Sequence, residues 1–416
     1  MKKFVSILSI SFLFFSCKDD SNPIKTEPPN PYAQKEIDWP SLQKAPWPMY
    51  RHDPQLTGRS QYVGPTKGII VDTLKYKRYL PASVSIDAND NIYIPFSSGE
   101  SDIYCYSLKF DTLKWKLKLP TNTLKIPTTP TITKNNSILY TSTRLYSISD
   151  SGKLQWQVQS QKEVAGGLNV QIDKSGNIYY IEQAGTTATA TLYCVSPTGQ
   201  LQWSFADERL LYGICSPAFS PDGNTLYLQA GTNTTTLIAY DISSKSIKWT
   251  FEGLPLFSTP IVDNQGNIYF QKNTVTTSLD TFYCLTKDGK VRWKYIFPKK
   301  DQQAFQYLYE PTIDYDGNVY ILSTKDTLVS LTNDGLVRWK LPLTAYGGCY
   351  YSIVCDRNNN IYFVTGNHFL LSVSKAGSIN WSIQFNHGFD VYPSLAITEG
   401  KLFLVTSYNG LIYIVE

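Results

Sequence analysis

Residues 259 to 297 read TPIVDNQGNIYFQKNTVTTSLDTFYCLTKDGKVRWKYIF. Four short runs rich in β-branched and aromatic residues, TPIVD, NIYFQK, TFYCLTK and KVRWKYIF, are divided by a QGN turn, a Thr-rich loop and a DG turn. Runs of this length, punctuated by Gly, Asn and Asp, predict strands joined as consecutive hairpins. We label them A, B, C and D. The B strand recurs as NIY at 91, ILY at 138, NIY at 177, TLY at 225, NVY at 318, NIY at 360 and KLF at 401. The D-strand tryptophans fall at Trp115, Trp156, Trp203, Trp249, Trp293, Trp339 and Trp381, spaced by 41, 47, 46, 44, 46 and 42 residues. A β pattern with that period predicts propeller blades.

Eight A–B–C sets are thus followed by only seven Trp-bearing D strands. The eighth set, YPSLAIT, KLFLVTS and GLIYIVE, runs to the end of the sequence without its D strand. A spare D strand stands at the other end: VDTLKYKRYLP, residues 71 to 81, matches FDTLKWKLKLP, residues 110 to 120, at seven letters. The expected fold is all-β, an eight-bladed β-propeller of four-stranded antiparallel blades, with residues 69–80 as an N-terminal outer strand completing the C-terminal blade. Tyr76 is expected where Trp115 stands in the first blade. Closure removes the unpaired strand edge that an open array would expose.

The tryptophans end G-x-x-x-W runs: GKLQW, GQLQW, GKVRW, GLVRW and GSINW. These runs and the period resemble the pyrroloquinoline-quinone-like (PQQ-like) eight-bladed propellers, and WPMYRHDPQLTGRS, residues 47 to 60, resembles the segment that often precedes them. The resemblance covers about residues 47–416. In length, lipid anchor and blade count it extends to the B-lipoprotein family of the outer-membrane β-barrel assembly machinery, which implies an assembly factor. Enzymatic members of the PQQ-like group imply a quinone over the central channel, a calcium ion, an Asp base and, in many, two adjacent cysteines. Adjacent cysteines are absent from this sequence.

Met1 to Ser16 carries two lysines and then the apolar FVSILSISFLFF, too short to span a bilayer. Ending LFFSC, it resembles a lipoprotein signal peptide (1–16), with Cys17 acylated and the protein anchored in the outer membrane. Lys18, Asp19 and Asp20 resemble the export signal of surface-exposed lipoproteins; without export the chain would face the periplasm. Residues 17–46, with Pro23, Pro28, Pro29, Pro31, Pro40 and Pro46, are expected to be an extended tether reaching up to roughly 80 Å. The propeller is expected over 47–416, beginning with a latch segment, 47–68. Of 38 basic residues, removal of Lys2 and Lys3 leaves 36 against 34 acids, a balance that does not suit nucleic acid.

Recurrence separates packing residues from candidate sites. The blade tryptophans share one position, which predicts packing between neighbouring sheets. Cys105, Cys194 and Cys284 share a C-strand position filled elsewhere by Ser147, Ala239, Ser330 and Ser372, so they are expected as buried free thiols rather than metal or redox groups. DYDGN and DNQGN are expected as hairpin turns, short of the ligands a calcium loop needs. Arg51, His52, Asp53 and Arg59 have the makings of a catalytic cluster, but their place before the closing strand predicts a structural latch. His368 on one loop and His387 with Asp390 on the next form a second polar candidate. No G-x-S-x-G or H-E-x-x-H occurs.

Alternating strand direction puts A–B and C–D turns on one face, D–A and B–C loops on the other. The first set is short and repetitive; the second is long and varied. Binding residues concentrate on variable loops held by a rigid scaffold. Tyr212, Phe257, Tyr307, Tyr309, Tyr346, Tyr350 and Tyr392 lie on the D–A approaches and form the candidate binding rim. The expected function is a non-catalytic, monomeric scaffold that takes a protein or glycan partner on this rim, touches the membrane only through its lipid, and carries no cofactor. An assembly factor and a PQQ-dependent dehydrogenase are the alternatives.

Overall fold

The computed structural model describes residues 30–76, 82–97, 101–119, 128–142, 144–158, 169–182, 190–207, 210, 216–230, 235–254, 256–273, 279–298, 310–323, 327–348, 352–386, 394–406 and 410–416. Tyr32–Glu416 form one compact unit. Met1–Pro31 form a second, of which only Asn30 and Pro31 are described.

Eight antiparallel sheets follow one another along Tyr32–Glu416, seven of them in the order A, B, C, D. Blade 1, for example, is Ser85–Ile86, Asn91–Ser97, Ser101–Ser107 and Leu113–Lys118. Blade 5 is Ile261–Val262, Ile268–Asn273, Leu279–Leu285 and Val291–Pro298, with a fifth short strand, Leu256–Phe257, beside its B strand. Strand character grades outward through each blade. B and C strands are buried on both faces, as at Ile138–Thr141 and Leu145–Ile148, whereas D strands alternate exposed and half-buried residues, as at Leu113–Lys118.

One hairpin solution recurs at the A–B turns. In blade 1, Asp87 accepts bonds from the backbone N–H and side-chain amide of Asn91, at 2.8 and 2.6 Å, and from the Tyr93 hydroxyl at 2.9 Å. Asp173, Asp263, Asp314 and Asp356 do the same with Asn and Tyr four and six residues on. A buried carboxylate is tolerable only when its oxygens are satisfied. The spacing D-x-x-x-N-x-Y achieves that within one hairpin. The DYDGN and DNQGN turns are therefore hairpin devices whose buried aspartates are engaged by their own donors.

Neighbouring blades interlock through the tryptophans. Trp115 donates its indole N–H to the Asp150 carbonyl in the C–D turn of blade 2 at 2.7 Å, and its ring lies under Gly152 of that turn. Gly152 has φ 78°, and a Cβ there would sit 2.5 Å from the ring, so both backbone and contact require glycine. Trp249, Trp293 and Trp339 repeat the bond to Lys287, Asn333 and Lys375. Opposite the rings stand the small C-strand residues: Cys105, Cys194 and Cys284 pair with Trp115, Trp203 and Trp293. These thiols and Cys355 are free and buried; Cys215 and Cys349 lie outside the described residues. Burial pushes the Cys105 and Cys284 thiols up to about 12 and that of Cys194 up to about 11.

The ring closes as expected. Ile70–Lys75 pairs antiparallel with Leu411–Val415 and completes the blade built from Ser394–Thr398 and Lys401–Thr406. The register corrects one expectation. Trp115 stands opposite Cys105, and the residue opposite the equivalent Ile414 is Asp72, not Tyr76. The seven-letter match is thus offset by four residues from the structural correspondence. Packing explains the slide. Tyr76 enters the junction with blade 1, where its hydroxyl meets that of Tyr106 and its ring lies 4.4 Å from Phe96 and 5.7 Å from Tyr104. Blade 1 in turn has Phe110, φ 57°, in its C–D turn, and this ring packs 6.1 Å from Phe403 of blade 8. The Trp-over-Gly pair seen at Trp115, Trp156, Trp249, Trp293, Trp339 and Trp381 is replaced here by Asp72 and Phe110.

Candidate functional site

The N-terminal segment crosses the ends of the inner A strands, one blade after another. Tyr32 stacks under Arg292 and bonds Asp334 at 2.9 Å. Gln34 bonds the A–B turns of blades 5 and 6, at Asn264 and Tyr315. Trp39 donates to the Ile172 carbonyl of blade 3 at 2.8 Å, and Leu42 and Trp47 form bridges to Thr133 of blade 2 and Ile86 of blade 1. The chain then runs on along blades 4 to 8. Phe219 and Val262 donate to the carbonyls of Pro54 and Gln55, Thr312 to that of Thr57, Cys355 to that of Gly58, and Gly400 to that of Val63. Residues 32–46, expected from their prolines to belong to a free-standing tether, are docked on the propeller. Proline content forbids regular structure, but it does not stop Trp39 and Leu42 from burying their side chains.

The WPMYRHDPQLTGRS residues lie inside this segment. Arg51 and His52, φ 55° and 76°, are in the left-handed region, and both side chains are buried. The Arg51 guanidinium donates to the carbonyls of Leu56, Pro311 and Ile353 and forms a buried ion pair with Glu310 at 3.1 Å. Glu310 also accepts from Tyr50, from Thr259 at 2.8 Å and from Ser352. Four donors on one carboxylate leave little capacity to take a proton from a substrate. His52 packs 5.3 Å from Trp47, and its Nδ1 lies 3.7 Å from Asp53. Burial would raise the Asp53 carboxyl, but His52, Arg59 and the Thr57 hydroxyl hold it below the usual carboxylate range. Arg59 lies 4.8 Å over the Tyr315 ring. The structure brings these four residues into the packed latch, Arg51 against Glu310, His52 against Trp47 and Asp53, and Arg59 over Tyr315.

Glu310 belongs to a girdle of polar residues, one at the start of each of several A strands. The Ser83 N–H donates to Thr129, the Thr129 N–H to Asn169 at 2.8 Å, and the Asn169 amide to Ser216 at 2.8 Å. Thr259, Glu310 and Ser352 continue it. Sequence reasoning did not single out Glu310. The available signal was the lone acid in YEPTI, where TTPTI, CSPAF and STPIV carry Thr or Ser.

On the opposite, loop-bearing face the structure describes part of the candidate rim. Tyr346 ends a short 3-10 turn, Thr344–Tyr346, and its ring meets Phe369 edge-on at 5.1 Å. Phe257 lies on the extra strand of blade 5, opposite Lys272. His368, φ 63°, closes a B–C turn, its N–H on the Thr365 carbonyl. Tyr212, Tyr307, Tyr309, Tyr350, Tyr392, His387, Asp390 and Cys17 lie outside the described residues. Among the described residues no group of three or more His, Cys, Asp or Glu is placed to hold a metal ion. None of the described helices is long and apolar enough to cross a membrane.

A family model described as outer membrane protein assembly factor BamB matches residues 188–415, more than half of the chain. No curated protein matches the sequence significantly. Among solved structures, BamB from Moraxella catarrhalis superposes with TM-score 0.57 at 13% identity, covering 84% of this chain and 97% of that one. The Dos1 propeller gives 0.60 at 12%, with 85% and 94% covered, and Sqt1 from Saccharomyces cerevisiae gives 0.62 at 10%, with 85% and 99% covered. At such identities these likenesses establish the propeller fold alone.

Proposed function

The chain belongs to the BamB family of outer membrane protein assembly factors, and from that premise we propose that it is a non-catalytic, protein-binding scaffold of the outer-membrane assembly kind. It is held at the membrane by acylation of Cys17, on a tether shorter than its prolines suggest, because the chain is docked from Tyr32 onward. The partner binds the D–A and B–C loop face, through aromatic groups that include Tyr307, Tyr309 and Tyr350.

The observation that carries the reading is the latch. It hydrogen-bonds the ends of the A strands at the A–B turns and occupies that face with the protein's own backbone. A partner meets varied loops on the other face, where a rigid ring holds them in place. The engagement of Glu310 by four donors speaks against its use as a general base and so favours a scaffold over a dehydrogenase.

Two experiments test it. Cys17→Ala is expected to release the protein from membranes; retention after a high-salt wash would overturn the anchor. Replacing Tyr307, Tyr309 and Tyr350 with Ala is expected to abolish co-purification with the barrel-assembly machinery while the melting curve stays cooperative. Undiminished co-purification would move the site elsewhere.

A further inference from the structure

Blade 5 departs from the repeat at one outward-facing position. Three residues beyond the blade tryptophan, the D strands carry Lys118 in blade 1, Ala206 in blade 3, Glu252 in blade 4, Pro342 in blade 6 and Gln384 in blade 7, all exposed. Lys75 occupies the matching place in the closing strand. Charged side chains, above all lysine, and proline on an outer strand are the usual defence of a sheet edge against pairing with another chain; blade 3 has only the small Ala206 there, which offers a partner little apolar surface. Blade 5 has Ile296 there, 48% exposed.

Its surroundings fit a purpose. The strand runs eight residues, Val291–Pro298, against six in blade 1 and nine in blade 4, and its outer edge ends the sheet. Lys294 and Ile296 share one side of it, both exposed, because strand side chains alternate. Among the described residues Lys294 forms no ion pair, whereas its neighbour Arg292 is bound to Asp334 at 2.6 Å. The other side of the strand is committed to blade 6. Trp293 lies under Gly335, and Lys340 stands 6.0 Å over the Tyr295 ring.

We propose that the Val291–Pro298 edge accepts an extended segment of a partner protein as an added antiparallel strand. An apolar residue of that segment lies against Ile296 and an acidic residue two positions later against Lys294. Main-chain hydrogen bonds along the edge supply affinity, and the two alternate side chains supply selection. The inference rests on the scaffold reading and names the chemistry of its partner.

The test is fluorescence anisotropy of a labelled eight-residue threonine-rich peptide carrying Val and Glu two positions apart, titrated with the full mature protein. Ile296→Lys, which installs the residue found at the matching place in blades 1 and 8, is expected to weaken binding at least tenfold with no change in melting. Lys294→Glu is expected to shift preference to the peptide with Lys in place of Glu. N-methylation of the peptide's bonding amides is expected to abolish binding. Binding indifferent to Ile296→Lys, or to N-methylation, overturns the assignment. If Ile296→Lys is indifferent while the loop-face tyrosine variant loses its envelope partner, only the edge assignment falls. If neither variant affects partner or peptide, the scaffold reading falls with it.

Discussion

Trp381 donates its indole N–H to the carbonyl oxygen of Pro65 at 3.1 Å, the bond that Trp115 makes to Asp150 at 2.7 Å. At the junction of blades 1 and 2 the acceptor is the C–D turn of the next sheet. The last blade has no such turn, because its C and D strands come from opposite ends of the chain. The end of the latch takes that role, and Gly68, φ 65°, lies over the Trp381 ring as Gly152 lies over Trp115. The closing segment therefore supplies a junction as well as a strand.

Gly68→Ala is expected to destabilise the fold by about 2–4 kcal/mol, since it combines a left-handed backbone with overpacking. A Cβ there would stand 2.6 Å from the Trp381 ring. Gly400→Ala, also left-handed at φ 70° but facing open space, should cost only about 1–2 kcal/mol. Equal losses in urea titrations would contradict the lock.

Phe110→Gly should cost about 1–2 kcal/mol, because it strips a half-buried ring from the junction between blades 8 and 1. Asp72→Trp alone should also destabilise, by placing an indole where Phe110 stands. Together the two changes restore the Trp-over-Gly arrangement seen at Trp115 and Gly152. A double-mutant cycle is expected to show about 1 kcal/mol or more of favourable coupling; additivity would refute the correspondence.

Arg51→Met leaves Glu310 buried without its cation and should cost about 3–5 kcal/mol. Adding Glu310→Gln removes the stranded charge and should recover part of the loss. Thermal melts of the two single variants and the double variant decide this, and a double variant less stable than either single would contradict it.

Alkaline stability follows from the thiols. Cys105, Cys194 and Cys284 are raised by burial from 9.0 to about 12, about 11 and about 12. Their contribution is fully present below pH 9, where folded and unfolded thiols are both protonated, and is lost as pH rises toward 12. Replacing all three with Ser, the residue at the same position in blades 2, 6 and 7, should reduce the fall in stability over that window. Peptide mapping after native alkylation at pH 8 should find these three cysteines unmodified. Rapid labelling would disprove their burial.

Several features were legible because each blade solves the same local problem. The B-strand tripeptides, the spaced tryptophans and the DYDGN and DNQGN turns are short-range patterns, and short-range patterns survive in a linear string; the Tyr two residues beyond each Asn as a further donor to the buried Asp was visible only in the structure. Closure was legible for a topological reason: one blade lacked a strand and the other end of the sequence had one to spare. The four-residue offset was not. VDTLKYKRYLP and FDTLKWKLKLP agree in letters, yet Tyr76 is drawn into the Phe96 and Tyr104 rings while Phe110 fills the vacated tryptophan site. Of the candidate rim the structure describes Tyr346 and the strand position of Phe257, and the other aromatics lie outside the described residues.

By itself, then, the sequence determined the repeat, the strand order and the need for closure, because backbone pairing within a blade depends on neighbours only a few positions away. Tertiary structure alone decided the register of the closing strand, the docking of residues 32–46 and the partnership of Arg51 with Glu310. Each of these depends on side chains from different blades, tens to hundreds of positions apart, that compete for the same volume or the same charge. That competition is settled only when the ring has formed.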